Sequence, residues 1–134
     1  MQESAGLHVI LDGYVVDSDV FEKENLIETF QELVKVLDMK ILLGPEFLEV
    51  PVDPSVLKRV KETGRFQDEG GITGFCIIST SHISIHCWPL QNFFSMDVFS
   101  CREFNDLSAV DVVKERLGAR NINISIVARK KPAN

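Results

Sequence analysis

The sequence predicts an α+β fold: a two-layer α/β sandwich in which a mainly antiparallel sheet carries helices on one face and leaves the other to water or a partner. Three observations predict it. Two segments, ending near Met39 and Leu117, repeat apolar residues at helical spacing. Residues 74–101 hold a run of neighbouring strand patterns. The chain has no internal repeat, low-complexity tract or linker, so its 134 residues are expected to form one domain, 1–134, which at that size buries a little under about 70% of its unfolded surface.

Leu7 to Val16 is rich in Val, Ile and Leu and leads into Asp17-Ser18-Asp19, a strand giving way to a helix cap. From there to Met39 one long amphipathic helix is expected, with Leu26, Phe30, Leu33 and Leu37 inward and Glu22, Glu24, Glu28 and Glu32 on the other face. Met39 to Leu43 is a short strand candidate. Gly44-Pro45, Pro51 and Pro54 then punctuate residues 44–70, which read as surface loop with a small helix from Ser55 to Thr63. Gly74 to Ser79 is almost continuously apolar, and Ser81 to Trp88 alternates strictly, so two strands should join near Thr80. After Pro89-Leu90-Gln91-Asn92, Ser95 to Cys101 reads as a return strand that closes residue 88 on residue 95. Asn105 or Asp106 caps a helix through Leu117, and Gly118 stops it. Asn121 to Ala128 is the last strand, followed by a basic tail, Arg129-Lys130-Lys131-Pro132.

Charge narrows the function classes. With 14 basic and 20 acidic residues the net charge is -6, which argues against nucleic acid, whose binding rests on clustered Lys and Arg. Met1 to Ile10 lack the basic and apolar regions of a signal peptide, and no uncharged run approaches the roughly 18 residues that cross a bilayer. A cytoplasmic protein with no membrane partner is the expectation. Cys76, Cys87 and Cys101 are odd in number and lack CxxC spacing, which fits reduced thiols.

Reactive side chains crowd into Thr73 to Cys101. In a regular strand Ser81 and His86 point to opposite faces, so a mechanism that pairs them needs an irregular backbone near Thr80-Ser81. With 88 opposite 95, Cys101 falls opposite residue 82, and Ser81, His86 and Cys101 would border one pocket. A zinc reading of His82, His86, Cys87 and Cys101 meets the four-residue strand separation of the histidines, about 13 Å, which one ion does not bridge. A serine-hydrolase reading lacks the GxSxG elbow and an acid placed to orient His86.

These residues carry a resemblance. Gly71-Ile72-Thr73-Gly74, the block Ser81-His82-Ile83-Ser84-Ile85-His86-Cys87-Trp88-Pro89, and Met96 to Cys101 resemble the core of the small prokaryotic S-adenosylmethionine decarboxylases. The likeness extends to Gly6-Leu7-His8, Asp12 and the Asn121–Ala128 strand, so it covers most of the chain outside residues 44–70. Members of that family are proenzymes. The resemblance implies that the chain cuts its own Thr80–Ser81 bond into fragments 1–80 and 81–134, the Ser81 hydroxyl attacking the Thr80 carbonyl and His86 acting as proton acceptor in the following elimination. Thr73 stands where the family has a Ser, and its hydroxyl would stabilise the tetrahedral adduct. Ser81 becomes a pyruvoyl group, which takes the substrate amine as a Schiff base and acts as electron sink, so no metal or PLP is implied. Cys101 is implied as the proton donor in decarboxylation, the product being decarboxylated S-adenosylmethionine for spermidine synthesis. The family's habit of dimerising and the open sheet face imply a homodimer.

Three positions depart from the family pattern: Thr80 and Leu90 each replace a Glu, and Arg102 replaces a Gly. Leu90 leaves open the same chemistry on another amino acid, such as arginine or ornithine. The three together leave open an unprocessed regulatory homologue. Taken singly, Ser81, His86 and Cys101 also suit a strand serine, a sheet histidine and a small buried hydrophobe. Cys76 and Cys87 read as packing residues, Trp88 and Phe93-Phe94 as core or dimer contacts, and His8 as structural. Asp12 is balanced between a substrate contact and a surface strand residue.

Overall fold

The computed structural model describes residues 2–51, 54–63 and 70–134. Six strands, β1 (Ser4–Val15), β2 (Leu43–Val50), β3 (Gly71–Ile78), β4 (Ser81–Trp88), β5 (Phe93–Ser100) and β6 (Ala119–Lys130), form one sheet in the order β2-β3-β4-β5-β1-β6. Every neighbouring pair is antiparallel. The helices are α1 (Lys23–Leu37), α2 (Pro54–Thr63) and α3 (Asp106–Leu117). The predicted α+β sandwich is thus the observed architecture.

Period-two alternation puts the core on one face. Val9, Leu11, Ile83, Ile85, Met96 and Val98 are fully or almost fully buried, and Leu26, Phe30, Leu33 of α1 and Val113 and Leu117 of α3 close over them. Burying each of these large side chains stabilises the fold by about 1.5–3 kcal/mol. Arg116 of α3 bridges Glu28 and Glu32 of α1, which fixes the two helices side by side. Among the described residues the side chains of the opposite face are partly or fully exposed. Cross-strand rows run over it: Leu48, Thr73, His86, Ser95, Asp12 and Asn123 in one, and Trp88, Phe93 and Tyr14 in the next.

Several boundaries differ from the sequence reading. The first helix is broken: a 3-10 turn at Ser18–Phe21, capped by Asp17, is separated from α1 by the extended Glu22. The strand expected at Met39–Leu43 begins only at Leu43 and runs through Gly44-Pro45 to Val50, so the first part of the expected loop is β2. An edge strand tolerates proline because one side of it donates no ladder hydrogen bonds, and the register shift between Leu43 and Glu46 absorbs the irregularity. β2 is held by Phe47, which packs on Phe30 at 5.3 Å and over Gly74, where a Cβ would lie 2.1 Å from the Phe47 ring. The expected small helix is α2, and the rest of that insert, 52, 53 and 64–69, lies outside the described residues. β6 also runs past its expected end, taking Arg129 and Lys130 out of the tail and into the ladder.

The hairpin register is corrected by two residues. Trp88 pairs with Phe93, not with residue 95, because Pro89–Gln91 forms a single 3-10 turn closed by Asn92 in the left-handed region (φ 51°). Pairing therefore resumes at once. His82 faces Phe99, and continuing that register sets Cys101 opposite Thr80 rather than residue 82.

Candidate functional site

Ser81 is the first residue of β4, entered through the two-residue turn Ser79-Thr80. Ser79 takes the left-handed conformation (φ 58°), which favours glycine and costs a serine about 1–3 kcal/mol. Strain therefore sits one residue before the Thr80–Ser81 bond. Ser81 is 4% exposed, and its Oγ accepts the backbone N–H of Cys101 at 2.8 Å. That donor favours negative charge on the hydroxyl oxygen. The hydroxyls of Ser81 and Thr80 in turn hydrogen-bond the Cys101 side chain, and with the nearby Arg102 charge they hold its thiol below the ordinary range. Cys101 is exposed, whereas Cys76 and Cys87 are buried in the core. Burial pushes Cys76 up to about 11 and Cys87 higher still, so both are packing residues, as expected.

Gly6 makes the approach to Cys101 possible. At its φ of 114° a Cβ would lie 2.0 Å from the Ser100 carbonyl and 3.0 Å from the Cys101 Cα, so only glycine lets β1 pass there.

The other half of the expected machinery lies elsewhere. His86 and Thr73 are direct partners across β4 and β3, and Thr73 Oγ1 hydrogen-bonds His86 Nδ1 at 3.1 Å. They line a cavity of about 280 Å³ with Val50, Gly70, Gly71, Ile72, Cys87 and Trp88. Neither Ser81 nor Cys101 borders it. β4 pairs on both sides without a register shift, so the irregularity that would bring Ser81 and His86 together in one chain is not there. Five residues at about 3.3 Å each put them ~16 Å apart. The expectation of one pocket is thus corrected: the chain holds two separate candidate half-sites, Thr80-Ser81-Cys101 at one end of β4 and Thr73-His86 toward the other.

The remaining positions are on the open face or its rim. Asp12 accepts a hydrogen bond from Ser95 Oγ at 2.6 Å, in the same cross-strand row as His86. His8 pairs with Asp97 at 2.9 Å. Leu90 is half exposed in the turn after β4. Among the described residues no three His, Cys, Asp or Glu side chains are grouped to hold a metal ion, and no helix is long and apolar enough to cross a membrane. Sequence reasoning gave Arg102 no role, yet its guanidinium donates to the Asp38 carbonyl at the end of α1. That contact spans 64 positions, and no local pattern announces it.

Known proteins resemble this chain over nearly its whole length. Residues 7–130 match the family described as S-adenosylmethionine decarboxylase. An S-adenosylmethionine decarboxylase proenzyme of Clostridium botulinum is 30% identical over 129 residues, covering 95% of this chain and 96% of that one. One from Pyrococcus furiosus is 28% identical over 129 residues, covering 95% and 80%. The crystal structure of the adenosylmethionine decarboxylase of Aquifex aeolicus superposes with a TM-score of 0.66 over 98% of this chain and 95% of that one, at 24% identity, a likeness of fold. With the family match spanning both half-sites and the full-length relatives agreeing, the chain belongs to the S-adenosylmethionine decarboxylase family.

Proposed function

We propose that this chain is a self-processing, pyruvoyl-dependent S-adenosylmethionine decarboxylase that cuts its Thr80–Ser81 bond and works as a homodimer. The observation that carries the reading is the Ser81 environment: a buried hydroxyl on a strained hairpin turn, accepting a main-chain N–H and touching an exposed, acidified thiol. Ser81 Oγ, held by the Cys101 N–H, attacks the Thr80 carbonyl; the Thr80–Ser81 C–N bond breaks, the hydroxyl proton passes to the freed amine and an ester remains. His86 then takes the α-proton of Ser81 in the elimination that breaks the Cβ–Oγ bond and leaves Thr80 as a carboxylate. Water then releases ammonia from the new terminus. The pyruvoyl group so formed supplies an electron sink for the carbanion that loss of carbon dioxide creates. Cys101 holds the proton that the substrate carbon receives.

A second copy completes the site. Tyr14, Phe75 and Leu48 are 49%, 38% and 71% exposed on the open face, where Tyr14 lies against Phe93 and Phe93 against Trp88. Two such faces packed about a two-fold axis that lies between them, perpendicular to β4, set the Ser81 end of one strand over the His86 end of the other, since residues 81 and 86 lie either side of the strand's middle. Thr73 and His86 of one copy then serve Ser81 and Cys101 of the other. The cavity beside His86 has Trp88 as an aromatic wall and no carboxylate among its described lining residues, which suits a nucleoside better than a dibasic amino acid whose far amine needs an anion.

Intact-protein mass spectrometry tests the reading. Purified protein is expected to give fragments of 80 and 54 residues, the smaller blocked at its terminus, while Ser81→Ala stays whole. A single intact wild-type chain after long incubation overturns it.

A further inference from the structure

Three consecutive residues that carry the thiol are each tied down. Ser100 is fully buried, and its Oγ accepts the Arg102 N–H at 3.2 Å. Cys101 N–H donates to Ser81 Oγ. The Arg102 side chain reaches across to the helix layer, where Nη2 donates to the Asp38 carbonyl at 2.5 Å. Asp38 is the left-handed cap of α1 (φ 54°), so its carbonyl lies at the negative end of that helix, where a cation is favoured.

We propose that Arg102 is the positioning residue for Cys101, anchoring the turn that carries the thiol to the end of α1 and setting a positive charge on the residue next to it. The proposal rests on the reading of Cys101 as proton donor. Among the described residues, the ionisable side chains on the neighbouring elements include His82 on β4, Asp97 on β5 and its partner His8 on β1, Arg129 on β6 seated over the Phe99 ring, Asp38 at the end of α1, and Glu103 next along the chain. The hydroxyls of Ser81 and Thr80 lower the thiol most, and Arg102 is the one charge that adds to them, by a smaller amount. Its effect has a definite sign: a neighbouring cation favours the thiolate, so removing it keeps the thiol protonated to higher pH. A proton donor must be both well aimed and able to part with its proton, and Arg102 serves each need through a different contact.

The test is iodoacetamide alkylation of Cys101 across pH in the full chain, followed by mass. Cys76 and Cys87 are buried, so the exposed thiol is read alone. Arg102→Gln is expected to move the alkylation midpoint to higher pH and slow the reaction at pH 7.5 by about two- to fivefold, as befits a charge at the surface. Arg102→Lys is expected to keep the parent profile, and kcat for decarboxylation should fall in Arg102→Gln with KM nearly unchanged. A parent-like alkylation profile in Arg102→Gln overturns the proposal. Equal slowing in Arg102→Lys does so too, because shape and not charge would then be at issue. Alkylation needs neither cleavage nor turnover, so an uncut parent chain would sink the proposed function while this result still stood.

Discussion

The two ends of β4 are built differently. At Ser81 the hydroxyl is buried, the backbone before it is strained, and a neighbouring N–H and thiol are bound to it. At His86 the ring is exposed on the open face, held by Thr73 and bordering a cavity. In the proposed reading the first end has a nucleophile with no base, and the second a base with no nucleophile. One strand of strict alternation cannot aim residues 81 and 86 at the same point, because an odd spacing sends them to opposite faces. Chemistry that needs both must therefore either break the strand or borrow from a second strand, and β4 is unbroken.

The sharpest way to break that comparison is complementation. Ser81→Ala and His86→Ala are each expected to stay uncut when expressed alone. Co-expressed, they form mixed dimers in which one intact site pairs Ser81 from the His86→Ala chain with His86 from the Ser81→Ala chain. Cleavage should return, and only in the His86→Ala chain, which mass distinguishes. If the mixture stays whole, the half-sites do not meet across copies and the dimer in this form is wrong.

Cys101→Ala separates the two tasks at the Ser81 end. The substitution removes the thiol but keeps the N–H that Ser81 Oγ accepts, so self-cleavage should continue at close to the parent rate. Decarboxylation should lose about 10²–10⁴-fold in kcat, the usual contribution of a placed proton donor. Gel analysis reads the first and carbon dioxide release the second. Loss of cleavage along with turnover would mean that the sulfur itself steadies Ser81.

Much of this was legible in the chain, and the failures have physical causes. The strict alternation of Ser81 to Trp88 and the apolar spacing of α1 gave the sheet and helix layer, since period alone decides which face is buried. β2 was hidden by Pro45, a breaker inside a sheet but harmless at its edge. The hairpin register depended on how many residues the turn after Trp88 consumes, and Asn92 in a left-handed conformation ends it sooner than a loop reading allows. Ser81, His86 and Cys101 stood out by their resemblance to the family's motif, yet their separation along β4 followed only once that strand was seen to be regular. Arg102 and Asp38 meet through the packing of α1 on the sheet, which no segment of sequence encodes by itself.

A smaller effect is expected at the His86 end. Thr73 Oγ1 is the hydrogen-bond partner of His86 Nδ1, and such a bond fixes the direction of the ring. Thr73→Val keeps the β-branched shape that suits β3 and removes only the hydroxyl. A net hydrogen bond is worth about 0.5–1.5 kcal/mol, so cleavage should slow by roughly 2–12-fold without stopping. Thr73→Ser, which restores the hydroxyl, should return most of the rate. Because the two half-sites are proposed to act across copies, Thr73→Val should slow cleavage of the partner chain rather than its own. Co-expression with a Thr73-intact His86→Ala chain reads this: the mixed site that has Ser81 from the Thr73→Val chain should find no base and stay whole, while the one that uses its His86 should be cut slowly. Cleavage confined to the Thr73→Val chain would instead place each histidine with its own serine.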